Sequence, residues 1–347
     1  MLQLKFKIRD IINLDDVFGF EVFFLRQIKV EHAVGQILCH DITQIVRGVT
    51  KDARFRKGHI ITEEDIPILL SLGKENIYIW EKDNTKLHEN DAAEILRQIT
   101  QGEGLDSTPV KEGKIELKAQ YDGVFHVDAD KLNAINEIDE ICIATVNNHI
   151  PIRKGKSAAG MRVIPLVIDK SKMEQVKQLA GEVPLMKVTP YRKFKVGLIV
   201  TGSEVFRDRI EDTFTPVIES KLKAFGLEVN ERRLSDDSKK MTQAHIKELL
   251  TLGMEMIICT GGMSVDPDDR TPAAIRDSGT EVVTYGVPVL PGAMFMLAYH
   301  DDVAIMGLPG CVMYCSKTIF DMVLPRIITG ERLQRQELRH LGVGGLL

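Results

Sequence analysis

The chain has 347 residues, 44% hydrophobic and 27% charged, a composition that suits roughly two or three globular domains folding without staples. With 45 basic and 50 acidic residues the net charge is -5, so no chain-wide field favours a nucleic-acid partner or an anionic membrane surface. Five scattered cysteines argue against a disulfide framework or a structural zinc site and fit a reducing cytoplasm.

Residues 1–30 interleave apolar positions with Lys, Arg, Asp and Glu, which breaks any apolar span of roughly 18 residues and leaves no small-residue cleavage site. The segment therefore reads as an N-terminal extension without the pattern of a leader or a membrane anchor. From Val30 to Glu81 short strands and turns surround a helix in TEEDIPILLSLG, with Thr62 and Asp65 as its start signal and Gly73 as its stop; Ile77 to Trp80 then form a strand. Residues 82–113 are polar and read as a linker carrying a helix near Ala92 to Ile99. A small strand-rich region over residues 114–185 has KIELKAQ, EICIATV and RVIPLVI as apolar strand cores. A helix at Ala129 to Asn136 and another in SKMEQVKQLAGE, stopped by Gly181 and Pro184, complete it.

From Lys195 the rhythm changes to strand, helix, strand: KVGLIVTG, PVIESKLKAFG, LEVNERRL, KMTQAHIKELLTLG, MEMIICTGG, then VAIMGLPG and a helix running to about Ile328. Alternation of this length predicts a mostly parallel sheet covered by helices on both faces, an α/β domain of three layers behind a smaller strand-rich α+β region. In such sheets ligands sit beyond the carboxyl ends of the strands. Four loops fall there: Thr201, Gly202, Ser203 and Glu204; Ser235, Asp236 and Asp237; Thr260 to Asp269; and Gly307 to Gly310.

The third loop, TGGMSVDPDD, is the richest. Gly261 and Gly262 free the backbone to turn and to approach a ligand closely, while Asp266, Asp268 and Asp269 would repel a phosphate unless a hard divalent cation bridges the two. The same residues also fit an acidic strand-to-helix turn, with Asp269 or Thr271 as cap and Pro272 in the first helical turn. A P-loop or dinucleotide fingerprint is not found in a suitable place.

In order and spacing, TGSEV, the I-x-D-T segment ending at Asp212 and Thr213, SDD, TGGMSVDPDDRTP, VPVLPGAMF and GLPG resemble the molybdopterin-binding domain shared by molybdopterin adenylyltransferases of the MogA type and molybdenumtransferases of the MoeA type. The resemblance is close over residues 193–330 and weaker over residues 31–81, which look like the amino-terminal part of MoeA proteins. Residues 331–347 then form a C-terminal tail, with no counterpart of the small β domain that closes MoeA proteins. The resemblance implies a protein of molybdenum cofactor biosynthesis that binds molybdopterin or its adenylate. It implies Mg2+ as cofactor, with ATP or AMP and molybdate as further small molecules. Carried over by motif, Glu204, Asp236 and Asp269 would be the catalytic carboxylates, with Asp236 and Asp269 holding the metal. Thr201, Gly202, Ser203, Asp212, Gly261, Gly262, Ser264, Pro291, Gly292, Pro309 and Gly310 would cradle the pterin and its phosphate. It further implies a homodimer, in which the amino-terminal part of one subunit reaches the other's cleft, and a handover to molybdoenzymes or other cofactor-biosynthesis proteins.

Two departures qualify the carry-over. Where MoeA proteins have PGKP this chain reads Pro291, Gly292, Ala293, Met294, and where they have GLPGNPVS it reads GLPG followed by Cys311, Val312, Met313 and Tyr314. The lysine and asparagine that would meet an anion are thus replaced, so adenylyl transfer, molybdate insertion, a non-catalytic carrier or sensor, and a nucleotide pyrophosphatase on the same fold all stay open. Of the remaining polar residues, His40 and Asp41 read as a turn. Cys311 and Cys315 read as packed thiols, although they fall at the expected start of the last helix, and Met294, Met296, Met306 and Met313 as core filling.

Overall fold

The computed structural model describes residues 24–46, 50–81, 85–264 and 269–347. Most of the N-terminal extension, residues 1–23, and two of the three loop aspartates, Asp266 and Asp268, lie outside them. The chain divides into two compact units, one of residues 1–118, 127–146 and 157–186, the other of residues 119–126, 147–156 and 187–347.

In the first unit, strands Phe24–Lys29 and Asn76–Glu81 pair antiparallel, as do Ile42–Val46 and Thr50–Phe55. Helix Asp65–Ser71 joins them over a small core of Val30, Ala33, Leu38, Ile42, Phe55, Ile61, Leu69, Ile77 and Ile79. Thr62 donates through both its amide and its hydroxyl to Asp65 Oδ2, so the start signal forms as a local turn, although the helix itself begins only at Asp65. Asp41 accepts from the Lys57 amide at 2.7 Å, the turn role expected of it. Within the segment read as a linker carrying a helix, residues 85–113 are described. Its helix spans Glu89–Thr100 and buries Ala92, Ala93, Leu96 and Thr100, because the apolar positions recur on one face. A four-stranded sheet follows, of Leu105–Ser107, Ile115–Ala119, Ser157–Val163 and Ile141–Thr145 in that spatial order. The helix at Ala129–Asn136 is capped by Asp128, whose carboxylate accepts from the Lys131 amide. RVIPLVI is two strands, Ser157–Val163 and Val167–Asp169, since the proline inside the run cannot donate to a ladder.

The second unit opens with three strands that sequence periodicity did not single out as a group, β1 (Gly123–Val127), β2 (Ile150–Ile152) and β3 (Met186–Pro190), in the order β2-β1-β3. The main sheet comprises β4 (Val196–Thr201), β5 (Val229–Ser235), β6 (Met256–Thr260), β7 (Glu281–Tyr285), β8 (Met296–His300) and β9 (Val303–Leu308), ordered β5-β4-β6-β9-β8-β7. The β4–β5, β4–β6 and β6–β9 pairs are parallel, and β8–β9 and β7–β8 are antiparallel. Helices α1 (Ser203–Phe206), α2 (Phe214–Lys223), α3 (Lys239–Thr251), α4 (Thr271–Arg276) and α5 (Ile319–Ile327) connect the strands, with α6 (Arg335–Arg339) at the end.

Alternation along the buried strands makes the three layers. Val196, Leu198 and Val200 of β4 pack with Met256 and Ile258 against Ile218 and Leu222 of α2 and Phe320, Val323 and Leu324 of α5. Their neighbours Ile199, Ile257, Cys259 and Ile305 face the other way, onto Ile246 and Leu249 of α3 and Ile275 of α4. Gly197 has no side chain on that second face, where a Cβ would stand 2.9 Å from Leu249 Cδ1, so α3 settles close to the sheet. Met296 and Met306 are fully buried, as core filling requires. Among the described residues no helix is long and apolar enough to cross a membrane.

Candidate functional site

Parallel register fixes where the loops leave the sheet. Thr201 lies opposite Ser235, Val200 opposite Thr260, and Thr260 opposite Leu308, so β5, β4, β6 and β9 end level with one another. The loops SDD, TGSE, TGGMS and GLPG therefore depart from a single edge. Because β8 runs antiparallel to β9 with Met296 opposite Gly307, the turn containing Pro291 and Gly292 comes to that edge as well.

Close backbone approach holds the central two loops together. Thr201 is buried, and its hydroxyl donates to Thr260 O at 2.9 Å and lies 3.3 Å from the Thr271 hydroxyl. Gly261 has φ +82° and sits where a Cβ would be 2.5 Å from Thr201 O; at Gly262, with φ +56°, a Cβ would be 2.7 Å from Thr271 Oγ1. Only glycine meets both demands, a left-handed backbone and a gap too narrow for a methyl group. The Thr271 amide donates to Gly262 O at 3.2 Å, and the Tyr285 hydroxyl donates to Met263 O at 3.0 Å. Burial, with the Asp269 carboxylate nearby, holds the Tyr285 phenol above its ordinary pKa, so it stays a donor.

The carboxylates shape the loops from which they project. Asp236 Oδ1 accepts from the Ser238 amide at 2.9 Å, and hydrogen bonding from Ser238, with a smaller contribution from the Arg207 charge, holds its carboxyl below the usual range. Asp237 Oδ2 accepts from the Ser203 amide at 2.9 Å and so ties SDD to the start of α1. Asp269 Oδ2 accepts from the Ser264 amide at 2.8 Å, closing the glycine loop on itself. Glu204, on α1, is exposed. Gly202 turns at φ +144° and donates its amide to Ser235 O at 3.1 Å.

The structure therefore brings Thr201, Gly202, Ser203, Glu204, Asp236, Gly261, Gly262, Ser264, Asp269, Pro309 and Gly310 to one edge, and gives several of the expected residues a local structural part. Thr201 and the two loop glycines stitch β4 to β6, and Gly292 lies against Ile319, where a Cβ would be 2.6 Å from Cγ2. Asp212, one residue before the N-cap Thr213, bonds the first turn of α2. Its Oδ1 accepts from the amides of Phe214 and Thr215 at 3.0 Å each, and its Oδ2 faces the Thr215 hydroxyl and Arg232. Among the described residues Glu204, Asp236 and Asp269 do not gather three ligand oxygens within 4.8 Å, because each Asp is turned to an amide of its own loop. A closed all-protein metal cage is thus not what these residues make. A carboxylate offers about four lone-pair positions, and Mg2+ typically takes one or two carboxylates with waters and phosphate oxygens, so the donor set suits a cation shared with a phosphate ligand. Cys311 lies in a short 3-10 turn and Cys315 in the loop before α5, so neither occupies the expected helix amino terminus; burial pushes the Cys311 thiol up rather than down. Asp237, placed in its loop by the sequence but given no role, and Tyr285, which spacing does not mark, both fix the loops.

An α/β domain of three layers, with glycine turns and carboxylates gathered beyond the ends of parallel strands, belongs to the class of open α/β domains whose ligand crevice lies at that edge. Residues 197–329 match the family described as a probable molybdopterin binding domain, and residues 27–81 a domain of unknown function. Residues 197–329, in the second unit, are thus similar to a molybdopterin-binding domain. A molybdopterin molybdenumtransferase of Synechococcus elongatus is 24% identical over 163 residues, which is 44% of this chain and 38% of that protein. One from Staphylococcus epidermidis is 28% identical over 131 residues, 36% and 31% of the two chains. A CinA-like protein of a Mycobacterium species is 31% identical over 90 residues, 26% and 21% of the two. The chain thus spans 31% to 38% of the length of these molybdenumtransferases. Solved structures similar to it include the molybdopterin biosynthesis MoeA protein from Pyrococcus horikosii, with TM-score 0.34 and 14% identity over 91% of this chain and 78% of that one. Another is a Thermus MoaB, with TM-score 0.33 and 22% identity over 40% and 98%.

Proposed function

We propose that this chain acts in molybdenum cofactor biosynthesis, binding molybdopterin or adenylyl-molybdopterin at the common edge of β5, β4, β6 and β9 and carrying out Mg2+-dependent adenylyl transfer or molybdate insertion. The observation that carries the reading is the level ending of those strands, which converts loops distant in sequence into one surface of amides, hydroxyls and carboxylates. Gly261 and Gly262 present backbone to a phosphate with no side chain in the way, and Thr201, bonded to Thr260 O, keeps that backbone in place. Asp236, Asp269 and Glu204 are the residues that would hold Mg2+ against the ligand. When bound, the ion would neutralise charge on the pyrophosphate between adenylate and pterin. The side chains' share of catalysis is then positioning and a fixed field, with no nucleophile needed from the protein.

A second reading, a carrier that keeps the pocket without the reaction, is favoured by one feature: Ala293 and Met294 stand where a lysine would supply positive charge to an anion. Incubation with molybdopterin, ATP, Mg2+ and molybdate separates the two. Turnover of adenylate by the wild-type chain, reduced on the order of 100-fold in Asp236→Asn and Asp269→Asn, supports the enzyme. Binding with no turnover in any combination assigns the carrier, and the lack of both ends the proposal.

A further inference from the structure

Away from the strand-end loops, a histidine of β1 and one in the turn before β2 meet ring to ring. In the β1–β2 pair Ile150 lies opposite Phe125, and His149, the turn residue before β2 with φ +59°, donates its amide to Phe125 O at 2.9 Å, which sets it beside His126 of β1. Their rings meet edge to face at 5.2 Å between centroids and 85° between planes. Glu331, just beyond α5, completes a triad: one nitrogen from each ring and one carboxylate oxygen all lie within 4.8 Å of one another.

Two of these ring atoms have no partner. His126 Nε2 and His149 Nδ1 are both buried and without a hydrogen bond, in a molecule where almost every other buried side-chain nitrogen or oxygen among the described residues has one. Leaving such an atom unsatisfied costs about 1–3 kcal/mol, and here both belong to rings of the same triad. Glu331 is held in place by Arg326, whose side chain is 5% exposed and which donates from Nε to Glu331 Oε2 at 2.9 Å while its Nη2 bridges Glu331 and Glu337. Glu331 and Glu337 face two cations, Arg326 and Lys187, around the rings, and the carboxylates offset part of the cost of admitting a dication. Burial lowers the pKa of both histidines, with smaller contributions from His149 and Lys187 at His126 and from Arg326 at His149, and favours the neutral form that offers a lone pair to a metal.

We propose that His126, His149 and Glu331 form a binding site for a divalent transition metal of the zinc class. Two imidazoles and a carboxylate suit zinc, cobalt or nickel better than magnesium or calcium, which prefer all-oxygen sets. Bonds of about 2.0–2.2 Å in tetrahedral array place ligand atoms roughly 3.4 Å apart, so modest side-chain rotation closes the triad and leaves the fourth position to water. Glu331 can turn one oxygen to the metal while its other oxygen and Glu337 keep Arg326 paired.

The test is titration of the metal-stripped, full-length chain with Co2+. The expected result is one equivalent bound, with the intense visible d–d bands of a four-coordinate site, displaced by Zn2+ and weakened at least about tenfold in His126→Gln and in His149→Gln. Equal Co2+ binding by the double variant, or no binding by the wild type, overturns the proposal. X-ray absorption on the zinc-loaded wild type needs no variant: an inner shell with two imidazoles supports the site, and a shell without imidazole overturns it.

Discussion

At the scale of single residues, His88 shows how burial sets a charge state. Its Nδ1 accepts from the Asn90 amide at 3.1 Å, so the ring carries its proton on Nε2, which donates to Cys39 O at 3.1 Å. A second proton would have to point at an amide hydrogen with the Lys57 ammonium 3.3 Å away, and burial followed by that charge lowers the pKa to about 4. The sign follows from linkage. Above the ordinary histidine value near 6.5 the ring is neutral in both folded and unfolded chains and affects nothing. As pH falls from there toward about 4 only the unfolded chain takes up the proton, so stability drops by about 1.4 kcal/mol per pH unit on this residue's account. Asparagine can still cap the helix at Glu89–Thr100 but does not titrate. Urea unfolding at pH 7, 6 and 5 is expected to show a slope shallower by about one proton in His88→Asn, and equal slopes in the two proteins would refute the assignment.

Among the elements, α2 separates a structural carboxylate from a ligand-binding one. The segment I-x-D-T marked Asp212 as a cofactor contact, but its oxygens are engaged by the amides of Phe214 and Thr215 and by the Thr215 hydroxyl at the start of the helix. Motif spacing locates such a residue without telling which way its side chain turns, since a capping aspartate and a binding aspartate look the same in sequence. Asp212→Ala is expected to lower stability by about 1 kcal/mol in chemical denaturation while leaving pterin affinity unchanged. A loss of affinity larger than the loss of stability would return Asp212 to the site. Legibility differed between elements for similar reasons. The helices Ala129–Asn136 and Lys239–Thr251 were plain because apolar positions recur at helical spacing between a capping acid or serine and a stop. Strands β7 and β8 were not read, because EVVTY and MLAYH are short apolar runs whose pairing direction depends on partners elsewhere in the sheet. β1 and β2 escaped for the same reason, and with them the juxtaposition of His126 and His149, residues 23 positions apart that meet because the turn before β2 packs beside β1.

For the molecule as a whole, the strand-helix rhythm after Lys195 was sufficient to give the parallel core and its covering helices, because a parallel neighbour requires a crossover and the crossovers are visible as amphipathic helices. It also gave the edge at which the loops emerge. What it could not give was the use made of each acid there: Asp236, Asp237 and Asp269 all accept backbone amides, an arrangement set by loop geometry rather than by residue type. The central claim is that these loops form one negatively lined surface that accepts a polyanion only through an intervening cation. Isothermal titration of the full chain with molybdopterin, in Mg2+ and again in excess chelator, tests it most directly. The expected result is one binding event per chain in Mg2+, weakened at least about tenfold without the ion and in Asp269→Asn. The absence of heat under both conditions, or an affinity indifferent to Mg2+, would contradict it.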